Sequence, residues 1–357
     1  MPHLHDDTHW QLEPSFLFDA LCFLNVLTGD EFYVRYYREE YGAFAPRITP
    51  AAGDALALLA RTVKEEGGGI ISAFLTLCFS ATDARTLMDA RAAIVRSDAM
   101  RARLQATPYY SDEGWEMFRA IGAPLDVLLR FLEEVGFEEY WHARALPRIR
   151  ESIAAIEREL PAYNVVCEVE RHLGVPLSSN TITILLLYFS RPHGIRITGT
   201  RFITDAAYPL AIVLRNAVHE MLHPPYDLLQ DVALSTAVEE LRGDRFLMDA
   251  VLNHDPAYGY NSFHGYLEED CVQAIEQIIN ERFGIGLDPH ERWRTADGGM
   301  HVLAAVLYDA MREEGFGNDD ESFRDLLIRL IATGRLRAGA IHDRYAAFLA
   351  KELDTKE

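Results

Sequence analysis

NTITILLLYFS, residues Asn180 to Ser190, marks where this 357-residue sequence stops reading as helix. β-Branched and aromatic residues crowd it and turn signals flank it, as in a buried strand. GIRITG (194–199) and RFITDA (201–206) follow as short strands, with Gly199-Thr200 at the turn between them. Upstream, from about Pro14 to Gly174, apolar residues recur at helical spacing in nearly every segment. Among these, GIISAFLTLCFS (69–80) is apolar enough for a central buried helix, and the segment from Trp115 to Phe137 should break before Pro124. Downstream, Tyr208 to His223 is helical in period. Asp227 to Asn253 reads as one helix, Ala257 to Gly265 as a loop, and Tyr266 to Gly284 as helix again. Three more helices are expected over 299–314, 320–333 and 335–352. The fold class is therefore α+β, predominantly helical, with a small sheet ahead of the helix that ends at His223. Residues 1–174 form a helical amino-terminal region and residues 175–357 a second region, a division compatible with one shared core.

Hydrophobic residues make up 49% of the chain and charged residues 25%, a soluble globular composition. A formal net charge of −21 argues against nucleic acid or an anionic membrane surface as the main partner. Cys22, Cys78, Cys167 and Cys271 form no C-x-x-C pair and read as small buried hydrophobes in a reducing compartment. The first ten residues, MPHLHDDTHW, have neither the basic nor the apolar part of a secretory signal, and Phe16 to Leu27 is too short to span a bilayer. A cytoplasmic protein is expected.

The chemistry is concentrated in AVHEMLHPP, Ala217 to Pro225. On a helix, residues four apart share a face, so His219 and His223 can turn two imidazoles toward one ion. Two neutral imidazoles suit zinc, which needs a third protein ligand and an open position for water. Glu220 lies to the side, where it can accept a proton from zinc-activated water as general base. It sits among Ala217, Val218, Met221 and Leu222, and a carboxylate among apolar neighbours needs a partner. Pro224 and Pro225 put His223 in the helix's last turn. An edge strand such as GIRITG or RFITDA offers an extended peptide a place to pair.

His219-Glu220-Met221-Leu222-His223 resembles the zinc-binding helix of the zincin metallopeptidases, over roughly residues 180 to 285. No third histidine follows at the metzincin spacing, so the resemblance implies an acidic third ligand, as in glutamate-type zincins. Two places compete. One is Glu239 or Glu240 in VEELRGD, where Glu240 and Asp244 lie one turn apart; in some such families an aspartate of this kind orients a zinc-bound histidine. The other is Glu268 or Glu269 in YLEEDCVQAIEQ. Helical periodicity puts Glu268 nearer the apolar face, whereas the resemblance to the E-x-x-V-x-A ligand helix selects Glu269. His264, Tyr266, Tyr260 and Tyr258, just before or at the start of that helix, are candidates for stabilising an oxyanion, His264 and Tyr266 foremost.

Elsewhere, His3, His5 and His9 with Asp6 and Asp7 read as a disordered polar terminus. Gly67-Gly68-Gly69 lacks the residues of a phosphate loop and reads as a turn between helices. Ser190 to Gly194 reads as a hairpin turn, and no G-x-S-x-G elbow suggests a serine hydrolase. The expected activity is that of a zinc metallopeptidase acting on a peptide or protein substrate, with His219, His223 and Glu269 on zinc and Glu220 as base. A non-catalytic helical interaction protein and a zinc hydrolase of non-peptide amides stay open as alternatives.

Overall fold

In the computed structural model, the described residues are 4–228, 230–255, 258–318 and 321–351. They are mostly helical, with one four-stranded sheet. The chain divides into two compact units, one made of Met1–Thr8, Tyr163–Asn180 and Leu214–Glu357, the other of His9–Ala162 and Thr181–Val213. The change of character at Val175 thus falls inside one segment of the first unit.

The second unit holds the sheet, in the order β1 (His9–Pro14), β2 (Thr181–Leu187), β4 (Arg201–Asp205), β3 (Ile195–Ile197). β1 and β4 run parallel to β2, and β3 is antiparallel to β4. Three expectations change here. His9–Pro14 is an edge strand, with His9 opposite Thr181 and Pro14 opposite Leu186. RFITDA lies inside the sheet, so β1 and β3 are the edges. Residues 188–194 connect β2 to a strand that is not its neighbour, so they are a crossover and not a hairpin turn. The expected hairpin at Gly199-Thr200 is present.

Behind the sheet, Phe23 packs on Phe137 and Phe189 with ring centroids 4.9 and 4.6 Å apart. Asp19, wholly buried, accepts the Trp141 indole N–H and the backbone N–H groups of Tyr188 and Phe189. The helix Phe16–Leu27 is thereby tied to the end of β2. The helix Asp112–Glu134 runs unbroken through Pro124. Proline in a helix interior costs about 3 kcal/mol. Here Trp115, Phe118, Ile121, Leu125, Leu128 and Leu132 form one buried stripe in register on both sides of it, and burying a side chain of this size is worth about 1.5–3 kcal/mol. The stripe outweighs the breaker.

Among the described residues, the regular elements of the first unit are helices and none is a strand. Its axis is the helix Phe263–Arg282, which packs against Val302–Glu314, and that helix in turn packs against Ile341–Ala350. The expected single helix over 227–253 is two, Val232–Glu239 and Arg245–Asn253, around a tight turn; a short helix at Pro289–Thr295 was not foreseen. Residues 5–8 are tied down as well. Glu170, buried, accepts the backbone N–H of His5 and pairs with its ring, and Thr8 and Asp6 bond Asn164. His3 lies outside the described residues. All four cysteines are free, Cys167 being half-buried and the others buried. No helix among the described residues is long and apolar enough to cross a membrane.

Candidate metal centre

The helix Leu210–Leu222 carries the two-histidine motif. Leu214, Ala217, Val218, Met221 and Leu222 are fully buried and form its apolar stripe. At 100° per residue that stripe leaves His219 and His223 together on another face. His223 stands one residue past the helix end, since the following Pro224 disfavours helical geometry there.

The partner helix, Phe263–Arg282, starts at Ser262, whose hydroxyl accepts the N–H of Gly265. It is buried over most of its circumference, and five of its polar residues are buried with it: Glu269, Asp270, Glu276, Gln277 and Asn280. Glu269, Gln273, Glu276 and Asn280 recur at 4-3-4 spacing and so share one face. On that face Gln273 donates to Glu269 (2.7 Å) and Asn280 to Glu276 (2.7 Å). Buried polar groups need partners, and those of this stripe include the two histidines.

His219, His223 and Glu269 each bring a ligand atom within 4.8 Å of the other two. The Nε2 atoms of the histidines are 3.2 Å apart. His219 Nε2 is 3.7 Å from Glu269 Oε1, and His223 Nε2 is 3.5 Å from Glu269 Oε2. Ligands about 2.0–2.1 Å from a tetrahedral zinc lie about 3.3 Å from one another; the separation of the two Nε2 atoms matches that figure, and each Nε2 meets a different oxygen of Glu269 within a few tenths of an ångström of it. The other ring nitrogens are taken: His219 Nδ1 donates to Glu276 Oε2 (3.3 Å) and His223 Nδ1 to Glu268 Oε1 (3.1 Å). A carboxylate behind each imidazole fixes its tautomer and turns its Nε2 inward. Buried Glu269 Oε2 has no hydrogen-bond partner among the described residues. This donor set fits a metal ion.

Electrostatics agree. Burial alone would keep both imidazoles neutral, but Glu269 and Glu276 raise the pKa of His219 above its ordinary value, and Glu268 and Glu269 push His223 up to about 10. Burial likewise opposes the charge on Glu269, yet the two histidines hold it well below the usual carboxylate range. Glu276 is driven down to about 2 against its burial, by Arg292 and His219. The centre is built to hold positive charge.

Of the competing acids, Glu269 is 2% exposed and faces both histidines, whereas Glu268 is 37% exposed and reaches only the outer nitrogen of His223. Periodicity mis-ranked the pair because this helix has no single apolar face. Glu240 is exposed, and Glu239 pairs with Arg242 and His264 at the surface. Asp244 orients no histidine: it caps the helix Arg245–Asn253 through the N–H of Leu247 and accepts the N–H of Gly339. Glu220 is buried close to both histidines.

The candidate oxyanion donors separate in the same way. His264 belongs to the exposed Glu239 cluster. The Tyr266 hydroxyl donates to the carbonyl of Met300 and accepts the N–H of Val302, which makes it structural. Tyr258 is exposed. Tyr260, at a positive φ of 58°, sets its phenol near Glu269 and Glu220; burial and then Glu269 raise its pKa well above the ordinary value. Sequence reasoning did not single out Glu276, Gln273, Arg292 or His301. His301, fully buried, bonds Asp270 at Nδ1 (2.7 Å) and Asp297 at Nε2 (2.9 Å). Burial disfavours its charge, but the two carboxylates push its pKa up to about 10. Asp270 also accepts the N–H groups of Leu303 and Ala304, locking the residue next to Glu269 to the following helix.

The chain matches no protein-family model, no curated protein and no solved structure.

Proposed function

We propose that the chain is a zinc-dependent hydrolase of peptide bonds, in which His219, His223 and Glu269 hold the ion and Glu220 is the general base. The observation that carries this reading is the convergence of two Nε2 atoms and a buried carboxylate oxygen, with a second carboxylate behind each imidazole. Two imidazoles and one carboxylate are the donor set of hydrolytic zinc sites that keep a position open. When bound, zinc would acidify water and polarise the substrate carbonyl.

The protein's own groups supply the rest. Glu220, next to His219 in sequence and buried near both histidines, takes the proton of the attacking water and passes it to the leaving nitrogen. The Tyr260 phenol, kept protonated by its surroundings, offers an O–H to the charge that develops on the carbonyl oxygen. Glu276 and Glu268 keep the imidazole tautomers that leave both Nε2 lone pairs inward. The preference for peptide bonds over other amides follows from the resemblance of the motif to zincin peptidases.

Metal analysis of the purified chain supplied with zinc tests the reading. About one zinc per chain is expected, lost on His219→Ala or His223→Ala. Glu220→Gln should keep the metal and abolish cleavage of a mixed peptide library. A chain that binds no zinc overturns the proposal, as does a Glu220→Gln variant that cleaves at the wild-type rate.

A further inference from the structure

Arg292 sits on the short helix Pro289–Thr295 and is nearly buried, its guanidinium over the Trp293 ring at 4.7 Å. It reaches three residues of the helix Phe263–Arg282. Nη1 donates to Gln277 Oε1 (2.8 Å), and Nη2 donates to Glu276 Oε2 (2.7 Å) and to Gln273 Oε1. Both contacts of Nη2 lead to the metal centre. Glu276 Oε2 also accepts His219 Nδ1, and Gln273 Nε2 donates to Glu269 Oε1.

The second path has a definite sense. A guanidinium has only donors, so Gln273 must turn its oxygen to Arg292 and its NH₂ to Glu269. Turned the other way, the amide would set a carbonyl against a carboxylate. With Oε1 occupied by that N–H, Glu269 keeps Oε2 as its unpaired oxygen, the one 3.5 Å from His223 Nε2. On the first path, the oxygen of Glu276 that receives His219 is held by Arg292 while its other oxygen accepts Asn280. The carboxylate cannot rotate without breaking one of these bonds.

We propose that Arg292 is a positioning residue of the zinc centre, aiming His219 through Glu276 and Glu269 through Gln273. This rests on the reading of His219, His223 and Glu269 as zinc ligands. Lysine cannot take its place: its ammonium has no counterpart to Nη1, whose bond to Gln277 fixes the guanidinium plane in which Nη2 meets both Glu276 and Gln273.

The test is zinc affinity, measured by competition with a chromogenic chelator at fixed pH, with the absorption spectrum of the Co²⁺-substituted protein as a second readout. Arg292→Lys and Arg292→Met should each weaken zinc binding by roughly 10–100-fold, the usual cost of losing a partner behind a metal ligand. Gln273→Met, at a half-buried position, should weaken it by about 10-fold with the melting temperature of the metal-free protein unchanged, and should alter the Co²⁺ spectrum. Arg292→Met and Glu276→Gln should be less than additive in the double variant, since they cut the same path. Wild-type affinity and an unchanged Co²⁺ spectrum in both Gln273→Met and Arg292→Lys overturn the proposal and leave the zinc site standing. Absence of zinc binding in the wild-type chain overturns both.

Discussion

His219 and His223 turn their Nε2 atoms toward each other across 3.2 Å, while each Nδ1 faces a different glutamate. Imidazoles that donate from Nδ1 bring Nε2 lone pairs together, an arrangement that repels unless a proton or a metal cation lies between them. Zinc requires both rings neutral, whereas the surrounding carboxylates favour their protonated forms, that of His223 up to about pH 10. Protons therefore compete with the metal. At pH 7 zinc binding should release at least about one proton per ion, and affinity should rise about tenfold per pH unit for each proton released. Calorimetry in two buffers of different ionisation enthalpy measures this directly. Equal heats in both buffers, together with an affinity flat from pH 6 to 8, would show that the imidazoles are already neutral.

The choice among the acids is equally testable. Glu269→Gln removes the proposed third ligand and should cost more zinc affinity than the roughly 10–100-fold that follows loss of an orienting partner. Glu268→Gln, which disturbs only the outer nitrogen of His223, should fall within that range. Glu240→Gln, at an exposed position, should bind as wild type. If Glu268→Gln proves the more damaging of the adjacent pair, the assignment of Glu269 is wrong.

What was legible in the sequence was local. The spacing of His219 and His223 showed the shared face, and the run from Thr181 to Leu187 showed the strand, because each pattern closes within a dozen residues. The edge strand His9–Pro14 was not legible: its only partner in the sheet is some 170 residues away, and six residues containing a proline carry little signal of their own. Gln273 and Glu276 were visible as polar residues at helical spacing from Glu269, yet their meaning depends on Arg292, on a seven-residue helix. Glu268 and Glu269 were ranked differently by periodicity and by resemblance, since periodicity assumes one wet face and this helix has almost none.

Tyr260 should act on turnover and not on metal. Its phenol adjoins Glu269 and Glu220 without belonging to the ligand set. Tyr260→Phe is expected to keep zinc while lowering kcat by roughly 100-fold, the scale on which loss of one oxyanion donor acts. Tyr266→Phe, by contrast, removes a bond to the Met300 carbonyl and should lower stability, leaving kcat of the folded fraction near wild type. Steady-state kinetics on zinc-loaded variants separates the two; comparable kcat losses in both would remove Tyr260 from its role.

His172 sets a pH limit on the fold, independently of any metal. Its ring is fully buried; Nδ1 donates to the carbonyl of Glu168 at 2.7 Å, and Nε2 has no hydrogen-bond partner among the described residues. Gly317, at a positive φ of 85°, lies so close that an added Cβ would come within 2.4 Å of Nε2. A proton on Nε2 would be a buried, unpaired donor, and burial lowers the pKa to about 4 from 6.5, helped by Arg282 and Arg171. The unfolded chain therefore takes up this proton first as pH falls. The contribution is fully present above pH 6.5 and is lost on acidification toward pH 4, by about 2 kcal/mol between pH 7 and 5 and about 3 kcal/mol by pH 4. Urea unfolding followed from pH 7 to 5 should show a shallower loss of stability in His172→Leu than in the wild type, by about that 2 kcal/mol. Parallel pH dependences in the two proteins would mean that the ring charges inside the fold without penalty.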